Sequence, residues 1–183
     1  MIASILIQAF EQDGLDATLV GGSAIELFAP GIYKSDDLDF VVEGKAESGI
    51  RDRIHDVLTA LGFERDARHW HRGRLYVEVP GHSMLEPTQL VSIGAFRVKV
   101  VTKEVLLADR IVGFRQWGYT GHGQQAIDMI AAFGTEIDEE FLIPRLKKEG
   151  SLDAFEPLKR LGASGGAVSE EVLQALLAKL RGV

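Results

Sequence analysis

The sequence predicts an α/β (α+β) half through about residue 101 and an all-helical half over residues 102–183. Two observations carry this division. Up to residue 101, short runs rich in β-branched and aromatic residues alternate with helical stretches, and Gly or Pro punctuates them. From Thr102 the apolar period becomes helical and stays so to the final residues.

The elements follow in order. Ile2, Ile5, Leu6, Ala9 and Phe10 recur at helical spacing, and Gly14 stops that helix. Residues 16–20 read as a short strand ending at Gly21-Gly22, after which Ser23 opens a second short helix that Pro30-Gly31 ends. Leu38 to Val42 suits a strand, with acids at alternate positions just ahead of its apolar end. Ile50 to Leu61 is a helix closed by Gly62. Residues 63–70, 75–79, 89–93 and 96–101 read as strands, broken at Gly73, Pro80-Gly81, Pro87 and Gly94. Thr102 is placed to cap the helix KEVLLADRIVGFRQW, and Gly121-His122-Gly123 precedes another through Ala132. Shorter helices follow, split near Pro144, Gly150, Pro157 and the small-residue stretch Gly162 to Ala167, which reads as flexible; Ser169 caps the last.

Composition narrows the function classes. A chain of 183 residues is one domain, or one with a small appendage, and 46% apolar content supplies a core. The formal charge of −7 disfavours wholesale binding to nucleic acid. There is no cysteine, so thiolate metal sites and disulfides are excluded. The first residues carry Glu11 and Asp13 and no basic run, which reads as an amphipathic helix and not a signal peptide. No apolar run reaches the roughly 20 residues needed to span a bilayer. The expectation is a cytoplasmic protein with no membrane partner.

Asp37 and Asp39 lie two apart on a predicted strand, so both carboxylates project to one face while Leu38 and Phe40 project to the other, buried one. Paired like charges are unfavourable unless a cation joins them, and hard oxygen ligands suit Mg²⁺. Upstream, Gly21-Gly22-Ser23 sits at a strand–helix junction. Glycine permits close approach of a phosphate, the helix start offers unpaired N–H groups, and Ser23 adds a hydroxyl donor. A phosphate turn followed by a carboxylate pair is the minimum apparatus for phosphoryl or nucleotidyl transfer.

The run GGSAIELFAPGIYKSDDLDFVV resembles the signature of the polymerase-beta-like nucleotidyltransferase superfamily: a hydrophobic strand, Gly-Gly or Gly-Ser, a short helix, then an acid-hydrophobic-acid strand. Its portion with Tyr33, Ser35, Asp37 and Asp39 is most similar to small bacterial members, including those of the abortive-infection toxin type. The resemblance implies a mixed sheet flanked by helices with a C-terminal helical bundle. It implies a third carboxylate on a later strand, for which Glu78 in LYVEVPG fits by position. It further implies Mg²⁺ or Mn²⁺ on Asp37, Asp39 and Glu78, and a nucleoside triphosphate on Gly21, Gly22, Ser23, Lys34 and Ser35. The acceptor would be an RNA, protein or small-molecule hydroxyl. A weaker resemblance reaches Asp109, Arg110, Gln125 and Asp128.

Each residue also has a plainer reading. The aspartates fit a solvated strand end, Gly21-Gly22 a simple turn, Glu78 a surface position, and Lys34 a loop lysine. Asp109-Arg110 fits a structural ion pair linking the two halves, and Gln125 and Asp128 fit fold support. The segment RDARHWHRGR (65–74) fits either an RNA-binding cluster or a hairpin with charged outer positions; His69 and His71 lack a third ligand nearby, which disfavours zinc. Two further alternatives remain: a toxin with an antitoxin partner, and a degenerate nucleotide-binding or interaction module without turnover.

Overall fold

Alternating burial along two strands sets the architecture. In β1 (Leu15–Val20) the side chains of Leu15, Ala17 and Leu19 are at most 2% exposed. β2 (Asp37–Gly44) runs antiparallel to it and places Phe40 opposite Leu19 and Val42 opposite Ala17, both fully buried. α1 (Ile2–Gln12) lays Leu6, Ile7 and Phe10 on this face, with the Phe10 and Phe40 rings edge to face at 6.1 Å. α3 (Ile50–Ala60) adds Ile50, Ile54 and Leu58. Each large side chain so buried contributes roughly 1.5–3 kcal/mol. A one-residue slip of β2 would exchange Phe40 for Asp39 in this core, so the apolar face fixes the register of the acids.

The computed structural model describes residues 2–31, 34–44, 48–164 and 168–182. They fall into two compact units, Met1–Thr102 and Lys103–Val183. The first unit holds, among the described residues, a seven-stranded mixed sheet. Its other strands are β3 (Glu64–Asp66), β4 (His69–Arg72), β5 (Leu75–Gly81), β6 (Thr88–Ile93) and β7 (Phe96–Val101), in the order β3-β4-β5-β2-β1-β7-β6. β1–β7 and β2–β5 are parallel and the remaining pairs antiparallel. α2 (Gly21–Phe28) connects the two central strands.

The second unit is helical: α4 (Lys103–Val112), a π-helical turn (Gly113–Trp117), α5 (Thr120–Phe133), a 3₁₀ turn (Gly134–Glu136), α6 (Glu139–Lys148), α7 (Leu152–Ala163) and α8 (Glu170–Arg181). Its interior is built on Leu107, Phe114, Met129, Leu142, Phe155 and Leu158. Among the described residues, no helix is long and apolar enough to cross a membrane.

Several expected boundaries shift, each for a local reason. Residues 63–70 are not one strand: Ala67 takes φ 51° and turns the chain, making a β3–β4 hairpin whose turn carries no glycine. β5 runs through Pro80-Gly81, because β4 pairs with β5 only as far as Glu78 and Pro80 loses no ladder bond on that side. Gly121 and Gly123 lie inside α5. A Cβ at Gly123 would meet Phe114 at 2.5 Å, so glycine there permits close packing and does not break the helix. Pro144 and Pro157 sit within α6 and α7, whose buried Leu142, Leu146, Phe155 and Leu158 outweigh the missing N–H. α2 starts at Gly21, two residues ahead of Ser23. Ser169 occupies the N-cap of α8 without a side-chain cap bond. Ile2 and Ile5, expected in the α1 stripe, are 50% and 47% exposed, and Ile7 is buried in their stead. Gly162 closes the buried face of α7, while Gly165 to Ala167 and Tyr33 lie outside the described residues.

His122 in α5 yields a pH prediction. Burial, and then the charge of Arg110, hold its imidazole below the ordinary value, with Asp109 opposing. The neutral ring therefore stabilises the fold above the unfolded pKa of about 6.5, and that contribution is lost as pH falls through the folded value. In thermal melts between about pH 7.5 and 5, wild type should lose more stability than His122→Gln. Parallel losses in the two proteins would contradict this.

Candidate active site

Register builds the site. Val20 faces Asp39 across β1–β2, Asp39 faces Glu78 across β2–β5, and Glu78 faces His69 across β5–β4. Directly opposed residues share a face, so Asp39, Glu78 and His69 form a row across three neighbouring strands. Asp37, two residues before Asp39, joins them on that face. Asp37, Asp39 and Glu78 each bring one carboxylate oxygen to within 4.8 Å of the others. A shift in the β2–β5 pairing between Asp39 and Val41 ends the regular ladder just beyond the acids.

The glycine turn abuts this cluster. Gly21 has φ +65°, and a Cβ built on it would lie 2.1 Å from Asp39 Oδ2. Glycine is thus required twice, by backbone conformation and by the carboxylate against its Cα. Gly21, Gly22 and Ser23 form the first turn of α2, whose N-cap Val20 is extended and supplies no side-chain cap. The amides of that turn therefore have no intrahelical acceptor.

Both serines make hydrogen bonds inside the site. Ser23 is buried, and its hydroxyl donates to the Asp37 carbonyl oxygen, tying α2 to the start of β2. That proton is committed to the backbone. Ser35 Oγ donates to Asp37 Oδ1 at 2.8 Å, and Ser35 N donates to Glu26 Oε2 at 3.2 Å, so this residue orients the carboxylate. Lys34 and Asp36 are exposed. Leu38 is only half-buried; it borders a cavity of about 530 Å³ with Leu19, Leu27, Leu75, Ser23 and Asp37. That volume lies in the range of small-molecule pockets.

Three carboxylate oxygens within 4.8 Å of one another, at half-buried positions, are a donor set that fits a hard divalent cation, and the missing Cβ of Gly21 makes room for one of them.

Comparison with known proteins bears on the fold. No protein-family model matches the chain, and no curated protein matches it by sequence. Among solved structures, an antigenic nucleotidyltransferase-like protein from Paracoccidioides brasiliensis superposes with a TM-score of 0.58 at 16% identity, covering 85% of this chain and 90% of that one. The fold is nucleotidyltransferase-like. Two structures of the antibiotic-resistance factor ANT(2'')-Ia, one in complex with adenylyl-2''-tobramycin, align at TM-scores of 0.44 and 0.43 with 15% and 14% identity. They cover 99% and 97% of this chain and 89% and 93% of theirs.

Within this nucleotidyltransferase-like fold the basic segment 65–74 is largely engaged with its own unit. Arg65 stacks 5.4 Å over Trp70, Arg72 donates to Leu61 O at 2.9 Å, and Arg68 meets Glu78 at 3.3 Å. His71 leans on Tyr76. The segment forms the β3–β4 hairpin and the turn into β5, with Arg65, Arg68, Arg72 and Arg74 at exposed positions. In the helical unit, Asp109 pairs with Arg110, and Gln124, next to Gln125, bonds Asp128 at 2.8 Å. Sequence reasoning missed His69 as a partner of Glu78; its signal was the two-residue hairpin turn, which sets the register that pairs them.

Gly21→Ala should lose about 1–3 kcal/mol in urea unfolding, from positive φ together with the clash on Asp39. Gly121→Ala, inside α5 with nothing within 4 Å, should be neutral or stabilising. Equal effects would remove the argument that residue 21 must be glycine.

Proposed function

We propose that the protein is a Mg²⁺-dependent nucleotidyltransferase that moves a nucleoside monophosphate from a triphosphate to an acceptor hydroxyl. The observation that carries this reading is the convergence of Asp37, Asp39 and Glu78 within 4.8 Å beside Gly21. A nucleotidyltransferase-like fold agrees with it.

In this reading Asp37, Asp39 and Glu78 hold the cation. When bound, it neutralises charge on the triphosphate and on the departing pyrophosphate. The remaining work falls to the chain itself. The uncapped amides of Gly21, Gly22 and Ser23 bind the β- and γ-phosphates at the start of α2. Ser35 keeps Asp37 aimed at the cluster. The acceptor oxygen attacks the α-phosphorus, the bond to the β-phosphate bridging oxygen breaks, and the hydroxyl proton passes to the carboxylate cluster. Positioning and charge compensation supply most of the acceleration.

Asp39→Asn should lower nucleotide transfer by at least ~10²-fold, measured as pyrophosphate release with labelled nucleotide on the acceptor. In a thermal-shift screen, one of ATP, GTP, CTP or UTP should stabilise wild type only when Mg²⁺ is present, by about 2.7 kcal/mol at a hundredfold excess over Kd. Stabilisation without pyrophosphate release would favour a nucleotide-binding module without turnover. No nucleotide effect at all would contradict both.

A further inference from the structure

We propose that His69 is a positioning residue that holds Glu78 in the carboxylate cluster and so sets its affinity for a divalent cation. The inference rests on the metal-binding reading above and extends it to a residue outside the three acids.

Glu78 stands between opposed neighbours. On one side Asp39 repels it; on the other lies His69, its register partner on β4. His69 Nε2 is 3.2 Å from Glu78 Oε2. A carboxylate only accepts, so Nε2 carries the proton and donates. Arg68 Nε approaches the other oxygen at 3.3 Å.

The two contacts differ in worth. Arg68 sits in the hairpin turn with its side chain 77% exposed, where an ion pair is screened and entropically opposed. His69 is 33% exposed, Glu78 is 20% exposed, and strand pairing fixes both backbones. The imidazole N–H is therefore the better hold. Each carboxylate oxygen has two lone pairs, so Glu78 accepts this bond and still presents an oxygen to a cation. Without the bond, repulsion from Asp37 and Asp39 favours rotamers that carry Glu78 away. Hydrogen bonds of this kind to metal-binding side chains are worth about 10–100-fold in affinity.

The test is Mn²⁺ binding to the full chain, followed by the EPR signal of the free ion, with metal-free melting curves as a check on folding. His69→Ala should bind Mn²⁺ about 10–100-fold more weakly than wild type. His69→Gln, whose amide N–H reaches a similar position, should recover most of the loss. Arg68→Ala should cost less than about fivefold. Asp39→Asn should abolish binding. Wild-type affinity in His69→Ala, with binding still lost in Asp39→Asn, would overturn the role of His69 and leave the metal site standing. Equal weakening in His69→Ala and His69→Gln would overturn the donor assignment. No Mn²⁺ binding by wild type would overturn both readings together.

Discussion

Three carboxylate oxygens within 4.8 Å are the constraint to which the rest of the first unit is fitted. Two unit charges about 4 Å apart repel by ~1 kcal/mol in water and by ~4 kcal/mol at the effective dielectric of a protein surface. A folded chain does not gather three such groups without structure that forces them together. Here the force is the apolar face of β2. Phe40 and Val42 are locked opposite Leu19 and Ala17, and a slip that relieved the acids would expose Phe40 and bury Asp39. Hydrophobic burial on one face of the strand therefore holds electrostatic strain on the other.

The surrounding contacts offset part of that strain and shape the remainder. Ser35 donates to Asp37, and Arg68 and His69 lie against Glu78. Ser23 fastens α2 to β2 through the Asp37 carbonyl, which keeps the uncapped helix start next to Asp39. Gly21 permits that approach by having no Cβ. The result is a negatively charged cluster set against the start of α2. In the proposed reading a cation complements the first and a phosphate the second.

Much of this was legible in the sequence because it is local. The spacing of Asp37 and Asp39 fixes their common face, and Gly21-Gly22 ahead of a helix marks the turn. The fold class followed from the change of period near Thr102. What was not legible depends on pairing between distant segments. The role of Ser23 needed the position of the Asp37 carbonyl, fourteen residues on. The hairpin at Ala67 carries no glycine or proline to announce it, so residues 63–70 read as one strand. The register of His69 with Glu78 comes from the turn at Gly73-Arg74, which as a sequence signal marked a break and not the pairing across it. Gly123, Pro144 and Pro157 read as helix breakers because their local propensity is clear, whereas the packing that retains them inside helices is tertiary.

The central claim is that the carboxylate cluster and the α2 start act as one cation-and-phosphate site. The most direct measurement is a crystal structure of the protein with Mn²⁺ and a non-hydrolysable nucleoside triphosphate, read by anomalous scattering from the metal. The account predicts a peak about 2.1 Å from oxygens of Asp37 and Asp39, with Glu78 completing the set and phosphate oxygens on the Gly21–Ser23 amides. Metal bound elsewhere, or nucleotide ordered away from Gly21, would contradict it.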